Sequence, residues 1–416
     1  MPTTPIAIKI IKQLVARGHV AYIAGGWVRD FLMNHPSDDI DIATSAKVEE
    51  IQSIFPKTIP VGIAFGIVIV VEEGHQFEVA TFRTEQGYVD GRRPTQITHA
   101  TACEDALRRD FTINGMFYDP IASKLHDYVG GKADLDKGVI RAIGNPHERF
   151  LEDRLRMMRA VRYSTRFNFP IEEATLQAIL AHAHSLLPAV AHERIWQEFQ
   201  KMSRFDHFDK GLITLHQIDL LPTIFPALQG TRIEEIKRRV SCIDRFPKQA
   251  PTIAELLTLF QDDSITFQLQ ICEYLKLSKQ DKEFVRFLAE MKATCLLPKT
   301  EIDLIEPIKW ARLYAHPSVS TALHIIASYL PETNSKEFLD YHAKKQTALK
   351  IAIDRIQNQS PLITASDLIK IGVQPGVRMG LLLKEAERIG VNEGIEEKKH
   401  LLEKLQNHPI FTNQVN

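Results

Sequence analysis

Two hydrophobic patterns divide this chain. Up to about residue 135, short apolar runs of strand length alternate with helical stretches. Strand spacing is read at Tyr22–Ala24, Asp39–Ala43, Ile67–Val71 and Phe77–Phe82. The last two flank Glu72-Glu73-Gly74-His75, a good hairpin turn. Val28 to Met33 reads as the first turns of a helix, and Ser45–Phe55 as another, capped by Thr44 or Ser45. From Pro146 onward the alternation nearly vanishes, and apolar residues recur at helical spacing up to about Leu405. Phe169-Pro170, Leu221-Pro222, Phe225-Pro226, Phe246-Pro247 and Pro361 break this part into helix groups. The expected fold is an α+β head followed by an all-α remainder.

Composition narrows the picture only a little. The 416 residues are enough for several domains with real cores. Net charge is −1, so any nucleic-acid contact needs a local basic surface. Cys103, Cys242, Cys272 and Cys295 are far apart and form no CxxC pair, which argues against a zinc site or a disulfide framework. A reducing cytoplasm fits best. The N-terminus lacks a signal-peptide core, and the longest apolar run, near Phe65 to Val71, is far too short to span a bilayer.

The chemistry concentrates early. Gly25-Gly26-Trp27-Val28-Arg29-Asp30 follows an apolar strand and opens a helix. Two glycines at such a turn let the backbone approach a phosphate. Asp39-Ile40-Asp41 follows, and on a strand residues two apart share a face. Paired carboxylates repel unless a cation lies between them, and Mg²⁺ is the obvious oxygen-seeking choice. Each motif alone is more often a turn or a solvated strand; their order and spacing make them specific. Glu78, between Phe77 and Val79, supplies a third carboxylate if its strand lies beside the Asp39–Asp41 strand. Three convergent carboxylates make a two-metal site.

Two basic segments follow. Arg108-Arg109-Asp110 suits triphosphate oxygens, against the plainer reading of a surface patch. Tyr88 to Pro94 reads as a mobile loop between Arg83 and Arg108. In Glu152-Asp153-Arg154-Leu155-Arg156, Leu151, Leu155, Met158 and Val161 form a helical stripe. Asp153 and Arg156 would then be neighbours on one helix face, by default a salt bridge worth ~0.2–0.5 kcal/mol. The sharper reading is base recognition. An Arg donor and an Asp acceptor match the acceptor–donor edge of cytosine or adenine. Guanine and uracil present the reverse order, at a cost of ~1–3 kcal/mol per unsatisfied group.

Together these motifs resemble the class II tRNA nucleotidyltransferase and bacterial poly(A) polymerase family, nearly continuously from Tyr22 to about Phe169. Glu193-Arg194 with Glu198, and more loosely Thr364 to Gly376, match the family's helical motifs. The resemblance implies a head (1–138), a base-recognising neck (139–205), a body (206–335) and a tRNA-binding tail (336–416). It implies Mg²⁺ on Asp39 and Asp41, with Glu78 as third catalytic carboxylate. It places Gly25, Gly26, Arg29 and Arg109 on the triphosphate, and Asp153 and Arg156 on the base, supported by Arg159 and Arg162. The candidate RNA contacts are Arg194, Lys344, Lys345 and Arg378, with Lys384 and Arg388 also near the tail. The partners implied are the tRNA 3′ end, CTP and ATP.

Within the family, Val61 to Val68 lacks the basic signature usual in bacterial poly(A) polymerases, and Tyr88 to Leu107 is not shortened as in CC-adding members. CCA addition is therefore the expectation. Addition of the final A alone, or of poly(A), is the alternative. No His-Asp pair of the phosphohydrolase type is found, so an extra hydrolase domain is not expected.

Overall fold

The structure is a computed structural model and describes residues 3–35, 37–62, 65–88 and 94–412. Its contacts separate two compact units, Met1–Ser241 and Cys242–Asn416.

The first unit begins with the helix Thr3–Ala16, which buries Ile6, Ala7, Ile10, Ile11 and Leu14. Nine strands follow among the described residues: β1 (Ala21–Ala24), β2 (Asp41–Thr44), β3 (Thr58–Gly62), β4 (Ile67–Glu72), β5 (His75–Thr81), β6 (Arg83–Tyr88), β7 (Pro94–His99), β8 (Phe117–Asp119) and β9 (Lys124–His126). Seven form one mixed sheet in the order β3-β4-β5-β2-β1-β8-β9, and β6 and β7 pair separately. The β4–β5 turn falls where the Glu72–His75 pattern puts it.

Two registers place the chemistry. β2 and β5 run parallel with Asp41 opposite Glu78, so both side chains leave the same face of adjacent strands. β1 runs antiparallel to β2 with Ala24 opposite Asp41. The end of β1 therefore delivers the glycine turn to the start of β2. Buried Ile23, Ile42, Val68, Val70 and Val79 hold the strands on the core.

Several expectations need correction. Asp39 lies before β2 rather than within it. The helix expected over Ser45–Phe55 spans Val48–Ile54. Neither expected residue caps it. The Thr44 hydroxyl donates to Val20 O and accepts from Ala46 N, while the Lys47 amide donates to Glu50 Oε2. Strands β3, β6, β7, β8 and β9 escaped the sequence reading because they are short or weakly alternating. The loop expected from Tyr88 to Pro94 has both ends in β6 and β7, and residues 89–93 lie outside the described residues.

After His126 the described structure is helical apart from isolated bridges. The continuous helix expected through Asp153 is two helices, Pro146–Glu152 and Leu155–Phe167. Asp153 between them is extended (φ −143°, ψ 105°), and its Oδ1 accepts the Leu155 amide at 3.0 Å. The break also splits the expected stripe: Leu155, Met158 and Val161 are buried, whereas Leu151 is exposed. Pro222 is no break. It sits in the first turn of Leu220–Ile224, where no intrahelical amide bond is lost.

The second unit is helical throughout its described residues. One core gathers Phe287, Met291, Trp310, Tyr314 and Ile326. Another gathers Leu368, Leu382, Ala386, Leu401 and Leu405. Among the described residues no helix is long and apolar enough to cross a membrane.

Candidate active site

A polar cleft of about 660 Å³ opens in the first unit over the start of β2. Gly25, Gly26, Arg29, Asp39, Asp41, Glu78, Arg109, Asp153, Arg156, Arg159, Arg162 and Arg194 all line it. The head and helical residues selected from sequence thus reach one cavity.

At its floor Asp41 and Glu78 are register partners on adjacent strands, with Asp39 two residues upstream. All three are accessible from the cleft. The cleft walls still crowd Asp41. Burial, then the Glu78 and Asp39 charges, push its carboxyl up to about 7, while Arg109 opposes the rise. Such a carboxylate gains most from a cation. Among the described residues no group of three or more His, Cys, Asp or Glu forms a ready-made ion cage. The donor chemistry of Asp39, Asp41 and Glu78 nonetheless fits a hard divalent ion: three oxygen donors of like charge at one cleft floor.

The glycine turn is tightly built. Gly25 has φ +68°, and its amide donates to Met116 O at 3.2 Å. That amide is therefore not open to a phosphate, contrary to the simplest reading of the turn. A Cβ on Gly25 would stand 3.0 Å from Arg109 Nη1. The missing side chain is what lets this arginine lie against the turn.

Each arginine is held by a carboxylate. Arg108 and Arg109 both donate to Asp105. Burial alone would raise Asp105, but Arg109 and Arg108 hold it below the usual carboxylate range. The pair is thus anchored, not a loose surface patch. Arg29 is buried, donates to Asp30 Oδ1 and Asn114 Oδ1, and lies over the Tyr163 and Phe167 rings. Asp30 Oδ2 also accepts from Arg166 at 2.9 Å, tying the glycine-turn helix to Leu155–Phe167. Arg159 Nε donates to Asp110 at 2.7 Å. Burial would raise that carboxyl, yet Arg159 holds it at about 2.

Asp153 and Arg156 form no ion pair with each other, which removes the simple i,i+3 bridge. Arg156 donates through Nη1 to Glu152 and Arg149 O, and through Nη2 to Arg108 O. Asp153 accepts from Arg194, Nη2 to Oδ2 at 3.0 Å. Arg162 is bound to buried Glu198 at 2.6 Å. Arg159 and Arg162 therefore rest on Asp110 and Glu198, not on the pair they were expected to support.

The other RNA candidates belong to the second unit. Lys344 is exposed on Glu332–Ala348, beside a shallow groove. Lys345 lies over the Trp310 and Tyr341 rings. Arg378 donates to Phe411 O at 2.6 Å. Sequence reasoning missed Asp105, Tyr163 and Arg166. A signal existed for the last: Arg159, Arg162 and Arg166 continue one row at three- and four-residue spacing.

Residues 21–141 match the family described as "Poly A polymerase head domain" and residues 168–230 that described as "Probable RNA and SrmB- binding site of polymerase A". A polymerase-type head followed by these helices defines the chain as a nucleotidyltransferase. It is 34% identical over 406 residues to the CCA-adding enzyme of Enterococcus faecalis, covering 95% of this chain and 94% of that protein. The Streptococcus mutans CCA-adding enzyme is 44% identical over 222 residues, 52% of this chain and 55% of that one. The crystal structure of the Bacillus stearothermophilus CCA-adding enzyme in complex with CTP superimposes with a TM-score of 0.78 at 27% identity, covering 97% of this chain and 98% of that chain. The chain belongs to the family of CCA-adding enzymes, the tRNA nucleotidyltransferases.

Proposed function

We propose that this protein extends tRNA 3′ ends with C, C and A, drawing on CTP and ATP without a nucleic-acid template. The observation that carries the reading is the single cleft in which Asp41 and Glu78 face the arginines of the glycine turn and the base-reading pair. The relative solved with CTP at 27% identity supports the same nucleotide chemistry.

Asp39 and Asp41 would hold Mg²⁺, with Glu78 as the third carboxylate. When bound, a divalent pair supplies Lewis-acid help to the attacking 3′-hydroxyl and to the departing pyrophosphate. The protein supplies position and charge. Arg109 offers a fixed cation beside the glycine turn to the triphosphate, and Arg29 braces that turn from below. Asp153 accepts from the exocyclic amino group of cytosine or adenine, and Arg156 donates to the neighbouring ring nitrogen. Alignment of the 3′-hydroxyl with the α-phosphate accounts for most of the rate, so no Ser, Cys or His nucleophile is required.

The division into head 1–138, neck 139–205, body 206–335 and tail 336–416 belongs to this reading, as do tRNA contacts at Lys344, Lys345 and Arg378. So does a cytoplasmic site of action, supported by four unbridged cysteines.

The test supplies tRNAs ending at the discriminator base, at C and at CC with CTP and ATP separately, and reads product lengths. Stepwise C, C and A addition is expected. Addition of A only to the CC-ended substrate defeats full CCA addition, and long A tails on any RNA favour poly(A) synthesis.

A further inference from the structure

We infer that the Tyr163 phenol is a contact to the sugar of the bound nucleotide: it donates its proton to the ribose 2′-hydroxyl and so favours ribonucleotides over 2′-deoxynucleotides. The inference rests on the base and triphosphate roles given above.

The phenol has a proton to place. Tyr163 is buried and lines the cleft. Phe111 meets its ring edge-on at 5.6 Å, Phe167 stacks on it at 6.3 Å, and the Arg162 guanidinium lies over it at 4.3 Å. These neighbours fix where the phenol oxygen stands. A phenylalanine would keep all three contacts, so they do not explain the hydroxyl. A buried hydroxyl without partners costs free energy, and a phenol both accepts and donates. The Tyr163 oxygen accepts from Arg159 Nη2 at 3.2 Å, but among the described residues no group accepts its proton. Asp110, which shares Arg159, is already engaged. Its Oδ1 accepts from the Phe111 amide and Asn114, and its Oδ2 from Arg159. The proton is left for an acceptor that arrives in the cleft.

Position along the helix identifies that acceptor. Arg156 and Tyr163 are seven residues apart on Leu155–Phe167, on one face and about 10 Å apart along the axis. The Arg156 end carries the base reader. The other end rests on the glycine-turn helix. Arg29 lies over the Tyr163 ring at 5.4 Å and the Phe167 ring at 4.7 Å, and Arg166 donates to Asp30 at 2.9 Å. A nucleotide with its base at Arg156 and its triphosphate beside the glycine turn passes its sugar between the two, where the Tyr163 hydroxyl stands. CTP and ATP share that sugar, so one donor serves both. A 2′-deoxynucleotide displaces water from the cleft and leaves the phenol proton unpaired.

Tyr163→Phe keeps the ring and removes only the hydroxyl. Single-nucleotide addition to tRNA is measured for CTP, ATP, dCTP and dATP with the variant and the unchanged protein. Filter binding follows tRNA affinity, and urea unfolding follows stability. The unchanged protein should prefer the ribonucleotides. In Tyr163→Phe, KM for CTP and ATP should rise about three- to tenfold, as for one lost hydrogen bond, with kcat less affected. KM for dCTP and dATP should not rise, so the preference for ribonucleotides shrinks by the same factor. tRNA affinity and the urea midpoint should stay near their original values. A purely structural role, exerted through Arg159, would raise KM for both kinds of nucleotide alike and overturn the proposal. A variant indistinguishable from the unchanged protein would overturn it too. In either case the reading beneath it stands, provided that the unchanged protein adds C and A to tRNA. Absence of that addition overturns both.

Discussion

Asp41 shows how a residue's setting changes its chemistry. Crowded by the cleft and by Glu78 and Asp39, it resists ionisation more than an ordinary aspartate. Removing it relieves local repulsion, so folding should tolerate the loss while catalysis does not. Asp39→Ala and Asp41→Ala should each lower nucleotide addition by roughly a thousandfold or more, the scale of losing several kcal/mol of metal-assisted stabilisation. tRNA affinity should stay near its original value. Normal turnover in either variant, followed by labelled CTP incorporation, would sink the carboxylate assignment. Gly25 is the opposite case, a position defined by what is missing. Its φ of +68° disfavours a side chain, and a Cβ would meet Arg109 at 3.0 Å. Gly25→Ala should cost about 1–2 kcal/mol in urea unfolding and raise KM for CTP. An unchanged KM would show that Arg109 does not depend on the close approach.

At the scale of elements, the site is held by pairs of helices and strands. The Arg162–Glu198 bond joins two helices with both side chains nearly inaccessible (9% and 2% exposed). Breaking such a pair leaves a buried charge, whereas replacing both members with apolar groups often does not. Arg162→Met should destabilise by about 3 kcal/mol, softened by Lys201, which also reaches Glu198 at 3.2 Å. Arg162→Met combined with Glu198→Leu should recover much of that loss in the same denaturant titration. No recovery would mean that the pair is needed for its geometry. The legible part of the site follows the same logic. The faces of Asp41 and Glu78 could be read from sequence because strand alternation sets them, while the sheet order is what made their strands neighbours. The break at Asp153 could not, because helical periodicity runs through Glu152 to Arg162 without interruption. An aspartate accepting its own next-but-one amide ended the helix there.

At the scale of the molecule, the two units meet acid differently. In the second, His342 is buried against Trp310 and Phe338, with Tyr314 bonded to its Nδ1 at 2.7 Å and Lys345 and Tyr341 nearby. Burial, and secondly the Lys345 charge, lower its pKa from 6.5 to about 4. Between those values the unfolded chain binds more protons than the folded one. The contribution of His342 is therefore complete above pH 6.5, declines as pH falls, and levels off below about 4. Denaturation midpoints followed by Trp310 fluorescence should show this slope, and His342→Gln should flatten it. In the first unit Asp110, held at about 2 by Arg159, adds a loss only at much lower pH, below the ordinary 3.8 of an aspartate.

The sequence by itself determined the class of the fold, the glycine turn and the faces that Asp41 and Glu78 take on their strands. Those features rest on periods of two and 3.6 residues and on glycine's freedom at a turn, which are local properties. It could not determine who binds whom. Arg194 meets Asp153 across 41 residues of chain, Arg159 meets Asp110 across 49, and Arg166 meets Asp30 across 136. In sequence each arginine is an equally good partner for any carboxylate or phosphate. Only packing, by fixing which helix faces which strand and how it is rotated, decided which arginines remain for the nucleotide and which hold the site together.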